Sequence, residues 1–499
     1  MYDAIVNDLL NSLRFFRPEL ALLATFVLVI IADLVIKNNK VNAGISILGC
    51  VVTGIFLIMQ SGIVSGAFQN STSVDPFADF FKLIILISTV LVIIMSEFSE
   101  ELHKRDVWMG EYYMLVLGMA IGMFLLAGAT NLILIYLAVE TMSMSSYVLA
   151  GYTKEIKRSS EASLKYVIFG SLSSGIMIYG MSLMFGMTGS LNIYEIHTYF
   201  VTNGFSELAV FISGLMVIAG FAYKISAVPF HFWTPDVYEG SPVTITAYLS
   251  VASKAAGFAI FIRFIRLAFN DPTTSNDATW NMLANLPWDW VIAVIAVATM
   301  TLGNLVALWQ SNVKRMLAYS SIAHAGYLLM GVVVMSSSGI MSILVYFFFY
   351  MLMNFGAFFV VMLFAHKIGS EELDDYEGLG YRAPVLASFM TLFLVSLTGI
   401  PPTAGFVGKF VLFGAVLEGG WYWLAVIGVL NSVISLFYYA KVIRNMWIRK
   451  VETNKAPFKF SLASELVVLA LAIPTLVFGL FYGPILRWAE YSVKMFLGN

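Results

Sequence analysis

The sequence predicts an all-α integral membrane protein of about 14 transmembrane helices, with two inverted five-helix repeats and broken helices 7 and 12. Three observations lead to this prediction. The 499-residue chain is 60% hydrophobic and 12% charged, with a mean hydropathy of +0.85, whereas soluble domains are about 25% charged. Apolar runs of membrane-spanning length recur along the chain. One short pattern, AGFxxK, occurs twice close to a proline.

The apolar runs define the predicted spans. A spanning helix needs about 20 apolar residues. Runs of roughly that size lie near residues 18–36, 43–61, 80–96, 110–128, 130–151, 162–186, 207–228, 243–268, 289–309, 315–336, 339–365, 385–417, 422–440 and 463–486.

The loop charges give an independent test, because Lys and Arg collect in short cytoplasmic loops. Loops after odd-numbered spans carry most of them, as in Lys37 and Lys40, Lys104 and Arg105, and "KEIKRSS". Loops after even-numbered spans, such as "SGIVSGAFQNSTSVDPFAD", carry none. Both termini are therefore predicted on the outer side. The loop after span 7, "PFHFWTPDVYEGSP", has no Lys or Arg, although the alternation of spans places it on the cytoplasmic side. We therefore expect it to fold back into the protein.

Two spans contain prolines that interrupt a straight helix. Residues 385–417 would form a helix about 50 Å long, too long for one crossing of a hydrocarbon core of about 30 Å. This run contains Pro401 and Pro402, and span 7 meets Pro229. Proline removes a backbone donor and clashes with the preceding turn, so both helices should break. Broken helices at membrane depth occur where protein or a wet cavity surrounds them.

"AGFAYK" and "AGFVGK" are offset by 185 residues, which equals five spans. A unit with an odd number of spans emerges inverted relative to its copy, as in secondary transporters. The predicted organisation is therefore an N-terminal three-helix segment (1–109), a first inverted repeat of helices 4–8 (110–270), a second of helices 9–13 (271–450) and a C-terminal helix 14 (451–499).

Glu140, Lys224, Lys254 and Lys409 fall near the middle of predicted spans. Each charge there costs roughly 2.5–3.5 kcal/mol on insertion scales. A lysine near a span end can extend its amine to the interface, and this alternative stays open for Lys165. It fails for Lys254, which lies eleven residues into its span, about 16 Å deep.

A static ion pair between Glu140 and Lys224 would account for one lysine. Lys254 and Lys409 still lack a mid-span acid, and desolvation disfavours the charged form of such an amine. These lysines are therefore candidate sites of proton exchange. His324, at mid-depth in span 10, could bridge two proton sites or serve as a structural histidine.

The sequence carries no recognisable redox or metal site. Cys50 is the one cysteine, which excludes a cysteine-ligated iron–sulfur cluster within the chain. No G-x-G-x-x-G follows a strand, as a nicotinamide site would require. Any redox centre must therefore lie in a partner, and nothing indicates nucleic-acid binding.

The segment "FAYKISAVPFHFWTPDVYEGSPVTITAYLSVASKAAGFAIFIR" resembles the antiporter-like membrane subunits of respiratory complex I, in particular the subunit N family of NADH-quinone oxidoreductase. Further similarity lies in "LAVETMSMSSYVLAGY", "GNLVALWQSNVKRMLAYSSIAHAGY" and "LTGIPPTAGFVGKF". Subunit M has a glutamate in helix 12, where this chain has Lys409. The resemblance implies inverted five-helix repeats with broken helices 7 and 12, and it covers spans 1 to 14.

The resemblance also implies roles. It assigns proton transfer to Glu140, Lys224, Lys254 and Lys409, and it matches Lys165 to a further family lysine. With His324, these residues form the expected buried Glu/Lys/His relay, driven by quinone reduction in other subunits. The alternative is a stand-alone Mrp-like cation/proton antiporter that uses the same residues. A purely structural scaffold is a third alternative.

The same resemblance implies the surroundings of the chain. NADH, FMN, iron–sulfur clusters and quinone would be bound by partner subunits, with no cofactor in this chain. The expected partners are other complex I membrane subunits, namely an M-type antiporter-like subunit and the small K, J and A types, together with membrane lipids. The expected location is the bacterial inner membrane, as a multi-pass protein with both termini on the periplasmic side.

Overall fold

The computed structural model of the chain describes residues 2–103, 109–272, 275, 280–283, 286–449 and 456–495. Within them the chain is almost entirely helical. Helices α1 to α22 run, in order, over Tyr2–Phe15, Arg17–Val35, Asn39–Met59, Pro76–Glu97, Glu100–His103, Met109–Gly128, Leu132–Ala150, Lys157–Thr188, Ile193–Asn203, Glu207–Ile225, Trp233–Gly240, Val243–Tyr248, Lys254–Phe269, Trp288–Ala307, Val313–Val333, Ser337–Ile368, Leu379–Arg382, Pro384–Thr398, Ala404–Glu418, Tyr422–Trp447, Leu462–Leu480 and Gly483–Ser492.

Three further elements complete the described structure. Strands β1 (Ser65–Ala67) and β2 (Thr72–Val74) form a short antiparallel hairpin before α4. A π-helix, Leu249–Ser253, joins α12 to α13. A 3₁₀ turn spans Leu373–Tyr376.

The predicted membrane crossings are present. In the described residues, thirteen helices are long and apolar enough to span a membrane, with α12, the π-helix and α13 counted as one. The twelfth predicted crossing consists of α18 and α19, of 15 residues each, and it brings the crossings to the fourteen expected. The predicted all-α membrane fold is confirmed.

Capping residues explain where several helices begin. Asp75 caps α4 by accepting from the backbone N–H of Ala78 (2.8 Å), and Asn312 caps α15 by accepting from Arg315 N–H (3.0 Å). Short polar side chains in these positions satisfy backbone donors that the first turn leaves free. The long helix α8 ends at Gly189, which adopts a left-handed conformation that glycine tolerates without steric cost.

Helices α10 and α18 stop where the prolines predicted. The α10 helix ends at Ile225, Ser226 is left-handed (φ 63°), and the next helix begins only at Trp233. The α18 helix ends at Thr398 before left-handed Gly399, and α19 begins at Ala404. Each break leaves backbone groups that no intrahelical bond satisfies.

The segment between spans 7 and 8 folds back into the protein, as its lack of basic residues predicted. Its helix α11 packs against α8 and α15, and Trp233 and Tyr238 are fully buried. Other features were not predicted: α1, α9 and α22 are additional short helices, and α8 and α16 extend to 32 residues. Lys104, Arg105 and residues 450–455 lie outside the described residues, so their loop charges stay predictions.

The centre of the bundle is formed by the spans that carry the candidate residues. Spans α12–α13, α15 and α16 are buried along nearly their whole length, whereas most residues of α2, α3 and α21 are partly buried or exposed. Lipid tails are as apolar as leucine, so exposed apolar side chains on the outer helices cost little in a membrane. Polar side chains are therefore concentrated among the inner helices.

Candidate functional site

Lys224 lies in the last turn of α10, immediately before the break in span 7. Its side chain is 2% exposed, and Nζ has no hydrogen-bond partner among the described residues. The rings of Tyr147, Tyr166 and Tyr223, here called the tyrosine collar, have their centroids 5.8, 5.8 and 5.5 Å from Nζ. Aromatic faces attract a cation at such distances. The collar can therefore stabilise the ammonium without a directional hydrogen bond.

The static ion pair between Glu140 and Lys224, the alternative raised by the sequence, does not form. Neither residue has an ion-pair partner in the described structure, and Glu140 Oε1 is buried without a hydrogen bond. Glu140 is still close enough for its charge to act on the amine. The amine and the carboxylate stay apart because the rings of the tyrosine collar, and not Glu140, surround Lys224 Nζ.

Lys254 follows the π-helix in the middle of span 8 and is 1% exposed. Its Nζ donates to the backbone oxygen of Ser321 (2.6 Å) and to Ser321 Oγ (2.9 Å). Single π-helical turns inside α-helices often occur at functional sites because they redirect side chains. Here the amine is bound to neutral oxygens, with no carboxylate partner in the described residues.

His324 lies one turn beyond Ser321 on the same helix, α15, and is buried. Its Nδ1 shares a hydrogen bond with the hydroxyl of Tyr346 (2.7 Å), and its Nε2 shares one with Tyr439 (3.3 Å). The Tyr439 hydroxyl also bonds to Ser320 Oγ (2.5 Å). The histidine is thus held on both ring nitrogens, and both Lys254 and Lys409 act on it electrostatically.

Lys409 lies in α19, just after the break in span 12, and is 4% exposed. Its Nζ donates to the backbone oxygen of Thr398 (2.8 Å), which the helix break leaves free, and to Ser432 Oγ (3.2 Å). The ring of Tyr327 lies 4.7 Å from Nζ. Gly399 has φ +89°, and a side chain there would collide with the Lys409 stem, so glycine is required on both grounds.

Lys165 does not join the buried residues. Its side chain is 37% exposed and forms ion pairs with Glu161 (2.7 Å) and Asp236 (2.6 Å), while Arg315 pairs with Asp236 (2.7 Å). Burial raises the pKa of the Asp236 carboxyl, but hydrogen bonds from Lys165 and Arg315 outweigh it and hold that pKa below its usual value. These residues line a cavity of about 170 Å³ at the end of α11.

Sequence reasoning missed the neutral partners of Lys254 and His324. Ser321, Tyr346 and Tyr439 are ordinary residues in apolar spans, and no spacing signal marks them. It also missed two buried ion pairs, Lys82 with Glu19 (2.6 Å) and Arg263 with Asp75 (2.8 Å). The available signal was a charged residue inside a predicted span, which applies to Lys82 and Arg263.

Broken helices at membrane depth, together with three buried lysines that lack carboxylate partners in the described structure, define an ion-transporting membrane protein of the antiporter-like class. Residues 129–435 match the family model described as NADH:quinone oxidoreductase/Mrp antiporter, TM. The chain is 45% identical to NADH-quinone oxidoreductase subunit N 2 of Chloroherpeton thalassium, over 98% of this chain and 97% of the relative. It is 45% identical to subunit N of Chlorobium chlorochromatii, over 99% and 97% of the two chains.

Solved structures share the fold of this chain. A chain of respiratory complex I from Thermus thermophilus, with bound Aureothin, shares 26% identity with a TM-score of 0.77, covering 95% of this chain and 99% of that one. A chain of the Mrp complex from Dietzia has 22% identity, a TM-score of 0.81 and 98% coverage of both chains, which shows a shared fold. The chain belongs to the antiporter-like membrane subunit family, as a subunit N of NADH-quinone oxidoreductase, which confirms the resemblance seen in the sequence.

Proposed function

We propose that the chain moves protons across the membrane as part of an NADH:quinone oxidoreductase. One observation carries the proposal: Lys224, Lys254 and Lys409 are all at least 96% buried, and none has a carboxylate partner in the described structure. An amine in this setting can change protonation without breaking an ion pair. Such residues inside a membrane mark ion pathways.

The proposed path runs through the centre of the bundle. Ser320 and Ser321 are adjacent on α15, so the Lys254–Ser321 contact lies next to the chain of hydroxyls from Ser320 through Tyr439 to His324. Hydroxyl and imidazole groups both donate and accept, as a relay requires. Lys409 then continues the path toward the outer half-channel. Between the Lys224 and Lys254 amines no direct hydrogen bond is present among the described residues.

Lys224 would serve the inner half-channel. In the segment that follows Lys224 in the chain, Ser226 Oγ, Thr234 Oγ1 and His231 Nδ1 are buried without hydrogen-bond partners in the described residues. Ordered water normally satisfies such groups. Glu140 would stabilise the charged form of Lys224 from a distance, and Lys165 would take up protons in the exposed ion cluster rather than within the buried path.

The driving force would come from other subunits. NADH, FMN, iron–sulfur clusters and quinone would be bound there, and this chain would contact an M-type antiporter-like subunit, the small K, J and A types, and lipids. The relatives' names and the chain of complex I that shares this fold support partner membrane subunits of complex I. Loop charges support a multi-pass protein of the bacterial inner membrane with both termini on the periplasmic side.

The inverted repeats are part of the same proposal. Spans 4–8 and 9–13 would be inverted copies, with residue ranges 110–270 and 271–450. Two observations support this proposal. Helix α6 packs on α7 as α14 packs on α15, and the two pairs are offset by five spans. Lys224 and Lys409 each lie beside a helix break. The N-terminal segment 1–109 and helix 14 (451–499) would flank the two copies.

A proton-pumping assay tests the proposal. Lys254→Met in the assembled complex, reconstituted in vesicles, should abolish or strongly reduce the proton gradient formed during NADH oxidation. Lys441→Met removes an exposed lysine of α20 and should leave pumping unchanged. Full pumping by the Lys254 variant would overturn the proposal.

A stand-alone antiporter is less well supported. The similarity to the Mrp complex is at the level of the fold, whereas the full-length relatives at 45% identity are named as NADH-quinone oxidoreductase subunits. Purification in mild detergent separates the two. Redox subunits that copurify support the proposal, and an active lone protein with sodium-dependent transport supports the antiporter.

A further inference from the structure

A second set of buried charges lies outside the proposed proton path. Glu19 in α2, Gln60 at the end of α3, and Asp79 and Lys82 in α4 meet at one end of the first three spans; we call them the N-terminal cluster. Lys82 Nζ pairs with Glu19 Oε1 (2.6 Å), and Gln60 Nε2 donates to Asp79 Oδ1 (3.2 Å). Glu19 is 5% and Lys82 2% exposed, while Asp79 is half-buried.

The charges of the cluster do not balance. Lys82 supplies one positive charge against the two carboxylates of Glu19 and Asp79, and its ammonium interacts with both. Asp75, the next acid on the chain, is already matched by both terminal nitrogens of Arg263 (2.8 and 2.9 Å). An unmatched carboxylate in this low-dielectric setting is costly unless it takes up a proton.

The other nearby groups do not supply the missing charge. The charged groups that act on Asp79 are Lys82, Asp75 and Glu19, and Arg263 interacts with it in turn. Arg17, at the start of α2, is exposed. From α22, which packs on α4, the ring of Trp488 packs against Phe80 with the two ring planes tilted by 35°.

Unpaired oxygen atoms point to the same conclusion independently. Glu19 Oε2 and Asp79 Oδ2 are both buried without a hydrogen-bond partner among the described residues. A carboxylate accepts through both oxygens, whereas a protonated carboxyl gains an O–H donor. One bound proton would convert an unsatisfied oxygen into a donor.

We propose that the N-terminal cluster is a proton-binding site in which Glu19 and Asp79 together hold one proton. The carboxylate oxygen that binds the proton becomes a hydroxyl, and the other acid remains ionised beside Lys82. Asp79, the less buried acid, lies three residues inside the start of α4. The proton therefore exchanges with the aqueous side where α4 begins.

Infrared spectroscopy of the purified complex tests the proposal through the C=O stretching band of a protonated carboxyl. The wild-type spectrum minus the spectrum of each acid variant should show one such buried band at neutral pH, shifted in D₂O. Glu19→Gln and Asp79→Asn should each abolish it, because the remaining carboxylate then balances Lys82. Lys82→Met should double it, because two acids then lack a cation.

Controls keep this test decisive. Glu490→Gln removes an exposed acid of α22 and should leave the band unchanged. A band that persists in both single-acid variants, or its absence in wild type, would refute the site. Loss of the wild-type band when sodium replaces potassium would also refute it, since the ligand would then be sodium. Proton pumping is not the readout, so the result is independent of the function proposed above.

Discussion

At the scale of single residues, the neutral surroundings of Lys254 are the most informative feature of the site. Its amine bonds to two oxygens of Ser321 and to no carboxylate in the described residues. A paired lysine holds its proton tightly, whereas neutral oxygens stabilise the charge less. This environment suits a residue that must both accept and release a proton.

His324 should be needed for proton transfer between Lys254 and Lys409. His324→Leu removes a group that accepts and donates protons, so we expect pumping to fall by about 10²-fold or more, in the range of relay residues. Proton uptake by reconstituted complex during NADH oxidation measures the change.

Tyr346→Phe provides the matched comparison. It removes the hydroxyl that bonds His324 Nδ1 (2.7 Å) and keeps the ring, so the loss should be several-fold smaller than for His324→Leu. Unchanged pumping in His324→Leu would show that this histidine is structural.

At the scale of secondary-structure elements, the break in span 12 supplies a backbone acceptor to the site. The break after α18 frees the carbonyl of Thr398, and Lys409 Nζ donates a hydrogen bond to it. In span 8 the π-helix directly precedes Lys254. In an unbroken span 12, the carbonyl of Thr398 would accept an intrahelical hydrogen bond instead.

The break in span 12 should depend on Gly399. Gly399→Ala places a side chain at φ +89° and against the Lys409 stem. We therefore expect the free energy of unfolding to fall by at least about 1–2 kcal/mol and proton pumping to be reduced. The midpoint of thermal unfolding and the pumping assay measure both effects. Gly414→Ala, in α19 with open space around it, should be neutral or stabilising. Equal behaviour of the two variants would contradict this role for Gly399.

The buried Arg263–Asp75 pair should tie span 8 to span 3. Both side chains are fully buried, so Asp75→Asn strands a guanidinium and should cost about 3–5 kcal/mol. The yield of assembled complex and its thermal unfolding midpoint measure the loss.

Two further variants test the cause of that loss. Asp75→Asn combined with Arg263→Met removes the stranded charge and should recover much of the stability. Ser88→Ala on the same helix removes a hydroxyl that makes no hydrogen bond in the described structure and should cost little. A double variant as unstable as Asp75→Asn would exclude charge as the cause.

At the scale of the whole molecule, the orientation in the membrane can be tested by labelling. Asn70→Cys lies in the loop after span 2 and Lys154→Cys in the loop after span 5, and both positions are exposed. A membrane-impermeant maleimide should label Asn70→Cys from the periplasm and Lys154→Cys only in inverted vesicles. Buried Cys50 should give little background. The reverse pattern would overturn the predicted orientation.

The comparison of sequence with structure shows where prediction succeeds. Pro229, Pro401 and Pro402 located both helix breaks, because proline acts on its own turn. The burial of Lys224, Lys254 and Lys409 followed from their depth in apolar runs. Most partners of these lysines could not be predicted, because Ser321, Ser432, Tyr147 and Tyr166 come from spans other than that of the lysine they contact.

The sequence alone determined the membrane class, the crossings, the breaks and the lysines that lie deep in the bilayer. These properties depend on the solvent and on neighbouring residues, so local composition records them. Tertiary structure decided that Glu140 stays apart from Lys224, that Lys165 is exposed, and that His324 bonds to Tyr346 and Tyr439. Those contacts depend on how each helix is rotated against its neighbours, which is set by the packing of many side chains at once.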